Sequence, residues 1–250
     1  MKRWIKPTLF TLLVFFISLI ATTPARWLQT FIPPNSPVKL QSVTGTIWKG
    51  EAMQASWQKN PLGKLNWSLR PFSLLTGKLG VDFNLENEGI QVNGDALIDR
   101  NQQVKLTDTI ANIDVNKLPL DAAKMLVSVE GRINADIRKL IINNQSINSA
   151  DATLVWKPAS ITAPIAMPLG EITLEISGED GNLTGKLNSK NSPVDATGNI
   201  AVAKNGTLTS NIRLKPNSKT PQDIRELLPV LGKQERDGSV KLHYQGRIKL

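Results

Sequence analysis

Residues 78–98 read KLGVDFNLENEGIQVNGDALI, and their periodicity decides the fold class. Leu79, Val81, Phe83 and Leu85 alternate with Lys78, Gly80, Asp82, Asn84 and Glu86. Beyond Asn87-Glu88-Gly89, the alternation resumes with Ile90, Val92, Gly94, Ala96 and Ile98. Successive side chains of a strand point to opposite faces, so a period of two predicts strands with one apolar and one polar face. The pattern recurs in Val127, Val129, Gly131, Ile133, Ala135 and Ile137, then in Ile172, Leu174 and Ile176. It returns in Val194, Ala196, Gly198, Ile200 and Val202, and again in Val240, Leu242 and Tyr244. Turn signals separate the runs: Glu179-Asp180-Gly181, Lys204-Asn205-Gly206 and Asp237-Gly238. Buried parallel strands would be apolar on both faces, so the expectation is a mainly β, largely antiparallel sheet domain over residues 38–250.

One or two short helices interrupt this pattern. Thr220-Pro221-Gln222-Asp223 reads as a helix start, with Thr220 as cap and an acid in the first turn. Ile224, Leu227, Leu228 and Leu231 would share a face, Pro229 would keep the helix short, and Gly232 would end it. Leu120 to Leu126 offers another turn or two. A glycine, one residue, then leucine or isoleucine opens several strands, as at Gly45, Gly77, Gly131, Gly170, Gly185 and Gly246. Trp67-Ser-Leu-Arg-Pro71 before Gly77 is echoed by Trp156-Lys-Pro158 before Gly170, which suggests two similar sheet halves.

The N-terminus has a different character. Lys2, Arg3 and Lys6 precede Thr8 to Thr23, sixteen residues without a charge, bracketed by Pro7 and Pro24 with Trp4 and Trp27 just outside. Indole rings favour the membrane interface, and basic residues stay on the cytoplasmic side. Residues 1–7 then form a cytoplasmic tip and 8–25 a transmembrane helix. Pro24 and the lack of an A-x-A pattern favour this anchor over a cleaved signal peptide, and either reading exports the rest of the chain. Pro33, Pro34 and Pro37 make residues 26–37 a spacer that resists helix and strand alike. The chain is thus expected to be a single-pass protein of a bacterial inner membrane with its bulk in the periplasm.

Chemistry is sparse. The chain carries +9 formal charge, but basic residues are not interleaved with aromatics, so a nucleic-acid partner is not expected. With no cysteine and one histidine, His243, the commoner zinc sites cannot be built. His243 lies on the polar parity of its strand, and no G-x-S-x-G elbow exists to pair with it. Acids such as Asp82, Glu86, Asp136, Glu171 and Glu175 occupy solvated strand positions. No phosphate-binding glycine loop is present. The reading is a non-enzyme without cofactor or metal. Trp48, Trp57, Trp67 and Trp156 fit sheet-covering or core positions.

At Gly45-Thr46-Ile47-Trp48-Lys49-Gly50 the sequence resembles the protein N family of the bacterial type II secretion system. The supporting elements follow in order: Leu65-Asn-Trp67-Ser-Leu-Arg-Pro71, Leu74-Leu75-Thr-Gly77-Lys-Leu79, Ala152 to Trp156, and Leu227-Leu228-Pro-Val-Leu-Gly232 before a closing strand containing Gly246. The resemblance implies an inner-membrane accessory component that supports export of folded proteins across the outer membrane, with other secretion components as partners. It also implies a distant kinship to AsmA-like envelope proteins, whose long curved sheets form a hydrophobic groove. It supplies no catalytic residues. An open sheet must cover its apolar face. This one can fold on itself, dock a partner, or cradle acyl chains, and in the last case the chain would be a phospholipid-binding module.

Overall fold

The computed structural model describes residues 5–32, 36, 38–58, 60–117, 128–143, 146–163 and 166–247. They fall into two compact units, Met1–Asn87 and Glu88–Leu250. The first unit opens with two helices, α1 (Ile5–Ala21) and α2 (Trp27–Phe31). Four antiparallel strands follow in chain order: β1 (Val38–Gly45), β2 (Lys49–Trp57), β3 (Asn60–Arg70) and β4 (Leu79–Glu86). A 3-10 turn, Pro71–Thr76, joins β3 to β4. The alternation in residues 78–86 is realised as expected. Leu65, Trp67 and Leu69 stand opposite Leu85, Phe83 and Val81, so one face of the hairpin is apolar.

The second unit is a longer antiparallel meander: β5 (Ile90–Ile98), β6 (Val104–Asp114), β7 (Ser128–Asn143), β8 (Ser146–Ala163), β9 (Met167–Glu179), β10 (Asn182–Lys190), β11 (Val194–Val202) and β12 (Thr207–Pro216). The helix α3 (Gln222–Leu231), the two-residue β13 (Lys233–Gln234) and β14 (Val240–Arg247) close it. β14 pairs with β12, and β13 lies outside β14. Asp180 and Gly181, Gly206 and Gly238 all take positive φ at hairpin turns, as the turn signals predict.

Register builds the apolar face. Ala111, Ala135, Leu154, Leu174, Leu187, Gly198, Ile212 and Leu242 are direct partners from β6 to β12 and on to β14. The neighbouring row runs from Asn112 and Asn134 to Arg213 and Lys241 and is mostly polar. In β6 and β7 the phase slips together. Asp108 takes φ +47, and the register shifts between Asn93 and Asp95 and between Ile137 and Lys139. The bulge moves the inward set from Thr109 and Ile137 to Leu106 and Leu140, so both halves of these strands keep an apolar face.

Small helices on large sheets cover little. Most buried apolar side chains are alanines, among them Ala52, Ala111, Ala135, Ala152 and Ala196. Among the described residues the largest fully buried apolar side chains, Leu228, Val194 and Val240, meet at α3. Ile224 and Leu228 of α3 pack with Val194 and Val240. Ala25 packs with Ala52 and Trp67, joined by Leu28 of α2.

Among the described residues no helix is long and apolar enough to cross a membrane, so the membrane span expected over 8–25 stands as a proposal. α1 has 17 residues, roughly 26 Å at 1.5 Å per residue, against about 30 Å of hydrocarbon. Residues 26–37 do not all resist helix: Trp27–Phe31 form α2, because Ala25 and Leu28 gain a packing site on β2 and β3. Pro33, Pro34 and Pro37, the stretch Leu120 to Leu126, and Lys2, Arg3 and Trp4 lie outside the described residues. Thr220 does not cap α3. Its hydroxyl donates to the Pro193 carbonyl and accepts from the Asn217 N–H. Leu231 is 52% exposed rather than on the packed face, since α3 presents only Ile224 and Leu228 as buried. Gly232 ends the helix in extended backbone, with φ −179.

Candidate functional site

Five of the residues singled out by sequence, Gly45, Thr46, Trp48, Gly50 and Trp67, meet where the N-terminal helices join β1 and β2. Between those strands, Thr46 closes a tight turn. Its N–H donates to the Lys49 carbonyl (2.9 Å) and its hydroxyl accepts from the Lys49 N–H (3.2 Å). Gly45 takes φ +87, and a Cβ there would lie 2.6 Å from the Lys49 carbonyl oxygen, so a side chain is excluded twice over.

The turn then binds the end of α1. A helix C-terminus leaves its last carbonyls without intrahelical partners. Here Trp48 Nε1 donates to the Ile20 carbonyl (2.9 Å), Thr23 Oγ1 to Leu19 (3.0 Å) and Thr22 Oγ1 to Ser18 (2.8 Å). The backbone adds Ile47 N–H to the Thr23 carbonyl (3.0 Å) and Ala25 N–H to the Gly45 carbonyl (2.9 Å). Pro24 forms a bridge with Thr46. Trp67 locks the turn from the other side, its Nε1 donating to the Ile47 carbonyl (3.1 Å). Its indole lies across Gly50, where a Cβ would sit 2.5 Å from Cζ2. The motif from Gly45 to Gly50 is therefore a socket for a helix end.

The remaining motif residues are structural in other places. Pro71 opens the 3-10 turn, Leu74 is 45% exposed, Gly77 caps the turn at φ +71, and Leu79 starts β4. Trp156 belongs to the second unit and repeats the Trp67 device. Its Nε1 donates to the Glu130 carbonyl (3.0 Å), and a Cβ on Gly131 would lie 2.7 Å from it. Gly232 lets α3 end against β14, where a Cβ would meet the Lys241 carbonyl oxygen and Leu242 Cδ2. Gly246 faces Leu208. Trp27 is 52% exposed on α2, and Lys6 lies in α1. Sequence reading missed Ala25, fully buried, and Leu28. Their signal was an apolar pair three residues apart, hidden beside the prolines.

Two open depressions occur on the strands. One, about 500 Å³, is lined by Gly45, Gly50, Glu51, Asn66, Asp82 and Asn84 among others. The other, about 730 Å³, includes Lys186, Arg213, Lys241 and His243. Several of the charges in them pair with neighbouring side chains. Lys64 Nζ sits 2.8 Å from Glu51 and holds that carboxyl below its usual range, chiefly by hydrogen bonding. Lys241 (2.5 Å) and Arg213 do the same to Glu235. His243 Nδ1 lies 2.7 Å from Asn211 Oδ1 on the polar face, away from Leu242 and Ile212. Among the described residues no cluster of three His, Cys, Asp or Glu side chains could hold a metal ion.

The family described as Type II secretion system (T2SS), protein N, matches residues 36–243. The chain belongs to that family. Its similarity to individual protein N sequences is low but end-to-end. It is 24% identical to the Type II secretion system protein N of Vibrio cholerae over 99% of this chain and 100% of that one. The Aeromonas hydrophila protein of the same name is 26% identical over 93% of this chain and 92% of its own. That of Pectobacterium carotovorum is 23% identical over 94% of each. No solved structure matches the chain. As a protein N family member, the chain is a type II secretion component. The socket lies inside the family-matched region, whereas the helix that it receives lies before it.

Proposed function

We propose that this chain is a non-enzymatic, single-pass inner-membrane accessory component of the type II secretion system. Its β-strands stand in the periplasm, where it supports export of folded proteins by contact with other components of the apparatus. The observation that carries this reading is α1. Its large apolar side chains stay exposed, Phe10 at 66%, Phe15 at 60% and Ile17 at 57%. Its C-terminal end, by contrast, is bonded to β1 and β2 through the socket. A helix apolar around its circumference needs a nonaqueous medium, and a bilayer supplies one. Lys2 and Arg3 before it, with Lys6 at its start, favour the orientation with the N-terminus in the cytoplasm.

The relatives that match end-to-end carry secretion names. For this reason export, rather than carriage of phospholipid along the apolar sheet face, is the reading adopted. The test is the extracellular proteome of a strain lacking the gene, with complementation. Folded exoproteins should accumulate in the periplasm and return outside on complementation. Unchanged export, with altered outer-membrane lipid, would overturn the proposal.

A further inference from the structure

The 3-10 turn between β3 and β4 exposes three large apolar side chains in a row of six residues. Phe72 is 82% exposed, Leu75 85% and Leu74 45%. A soluble surface seldom concentrates such side chains without a use for them. Their position narrows the use. Ile20 at the end of α1 accepts from Trp48 Nε1, and the Trp48 carbonyl accepts from the Leu69 N–H (2.6 Å), two residues before Pro71. β1 ends at Gly45, β2 starts at Lys49, and Lys49 pairs with Ser68. The socket turn and the 3-10 turn thus share one end of the hairpins, and that end receives the helix.

The turn also satisfies much of its own backbone. Apolar surroundings require backbone polar groups to be satisfied internally. Ser73 Oγ donates to the Arg70 carbonyl (2.6 Å) and accepts from the Gly80 N–H (2.8 Å). Thr76 Oγ1 donates to the Ser73 carbonyl (2.8 Å), and Gly77 N–H to Leu74 (2.9 Å). Exposed Lys49 and Lys78 flank the turn, as anionic headgroups favour. We propose that residues Phe72, Leu74 and Leu75 insert into the lipid interface beside α1, as a second membrane contact that holds the strands of the first unit at a set tilt and height over the bilayer.

This inference rests on the anchor reading, and the experiment separates the two. The chain has no cysteine, so single cysteines give clean probes. Phe72→Cys, Leu75→Cys, Phe16→Cys and Glu86→Cys would each carry an environment-sensitive fluorophore. The labelled full chains are reconstituted in vesicles of phosphatidylethanolamine and phosphatidylglycerol. Glu86, at the far end of β4, serves as the aqueous reference. The expected result is a blue-shifted emission at positions 72 and 75, quenched by headgroup-level nitroxide lipid several-fold more than at position 86. Lipid signal at position 16 with aqueous signal at both 72 and 75 overturns the second contact and leaves the anchor, handing the patch to a protein partner. Aqueous signal at 16, 72 and 75 overturns both. Lipid signal at 72 and 75 with aqueous signal at 16 removes the anchor and overturns the placement of the turn beside a membrane-embedded α1.

Discussion

Replacing Gly50 by alanine would put a methyl group 2.5 Å from Trp67 Cζ2 and 2.7 Å from the Thr44 carbonyl oxygen. One neighbour is a buried indole and the other is backbone, so neither yields cheaply. The expected cost is about 1–3 kcal/mol, as for other overpacked sites. Gly238→Ala, where no atom lies within 4 Å, should cost less despite its φ of +78. Urea denaturation of the two variants in detergent checks the order. Trp67→Phe keeps a ring but leaves the Ile47 carbonyl without its indole donor, for about 1–3 kcal/mol. Trp67→Ala adds a cavity and should cost about 3–5 kcal/mol. Equal losses for Phe and Ala would show that the hydrogen bond, not the ring's volume, holds the socket. At this scale the sequence was legible in part. The glycines and tryptophans of the motif stood out, but that Gly50 serves the Trp67 indole lying across it depends on strand pairing, which no local pattern reports.

Among the elements, α3 offers the sharpest contrast. Leu228→Ala should cost about 2–5 kcal/mol and expose amides of β14 to exchange, since Leu228 is buried against Val194 and Val240. Leu231→Ala, at 52% exposure, should stay within about 0.5 kcal/mol. The corner beside α3 should also respond to pH. Lys241 and Arg213 hold Glu235 below its ordinary value of 4.5. The stabilisation is complete above that value and disappears as pH falls through the lowered one. Amides of β13 and of the adjoining end of β14 should therefore exchange faster below about pH 4, and Glu235→Gln should abolish the difference. A rate independent of pH in that range, after correction for intrinsic exchange, would remove the role of Glu235. The helix itself was legible from Ile224 and Leu228. Its cap was not, because the Thr220 hydroxyl is taken by Pro193, a carbonyl distant in sequence. Similarly, the phase slip at Asp108 and Arg138 was invisible: a period-two count sees each strand alone, whereas a bulge is a property of a pair.

On the scale of the molecule, the question is whether α1 holds the chain at a membrane. With α1 intact, the chain should remain in the membrane pellet after an alkaline carbonate wash. Exchange of residues 5–21 for a cleavable secretory signal should move it to the periplasmic fluid. Release of the intact chain by carbonate alone would refute the anchor. If the 3-10 turn also meets lipid, the exchanged chain should keep weak, salt-sensitive binding to anionic vesicles, lost in the Phe72→Ser, Leu75→Ser double variant.

What the sequence by itself determined is the class of the protein: antiparallel strands with one apolar face, a basic and apolar N-terminus, and a family likeness carried by Gly45 to Gly50. These follow from side-chain periodicity and composition, which are local. The tertiary structure alone decided what the motif is for. Trp48 meets Ile20 across 28 residues, Trp67 meets Ile47 across 20, and Phe72 and Leu75 come to the same end as the helix they resemble in polarity. Such contacts are set by hydrogen-bonded register between strands, and register is a relation between distant segments that neither segment contains on its own.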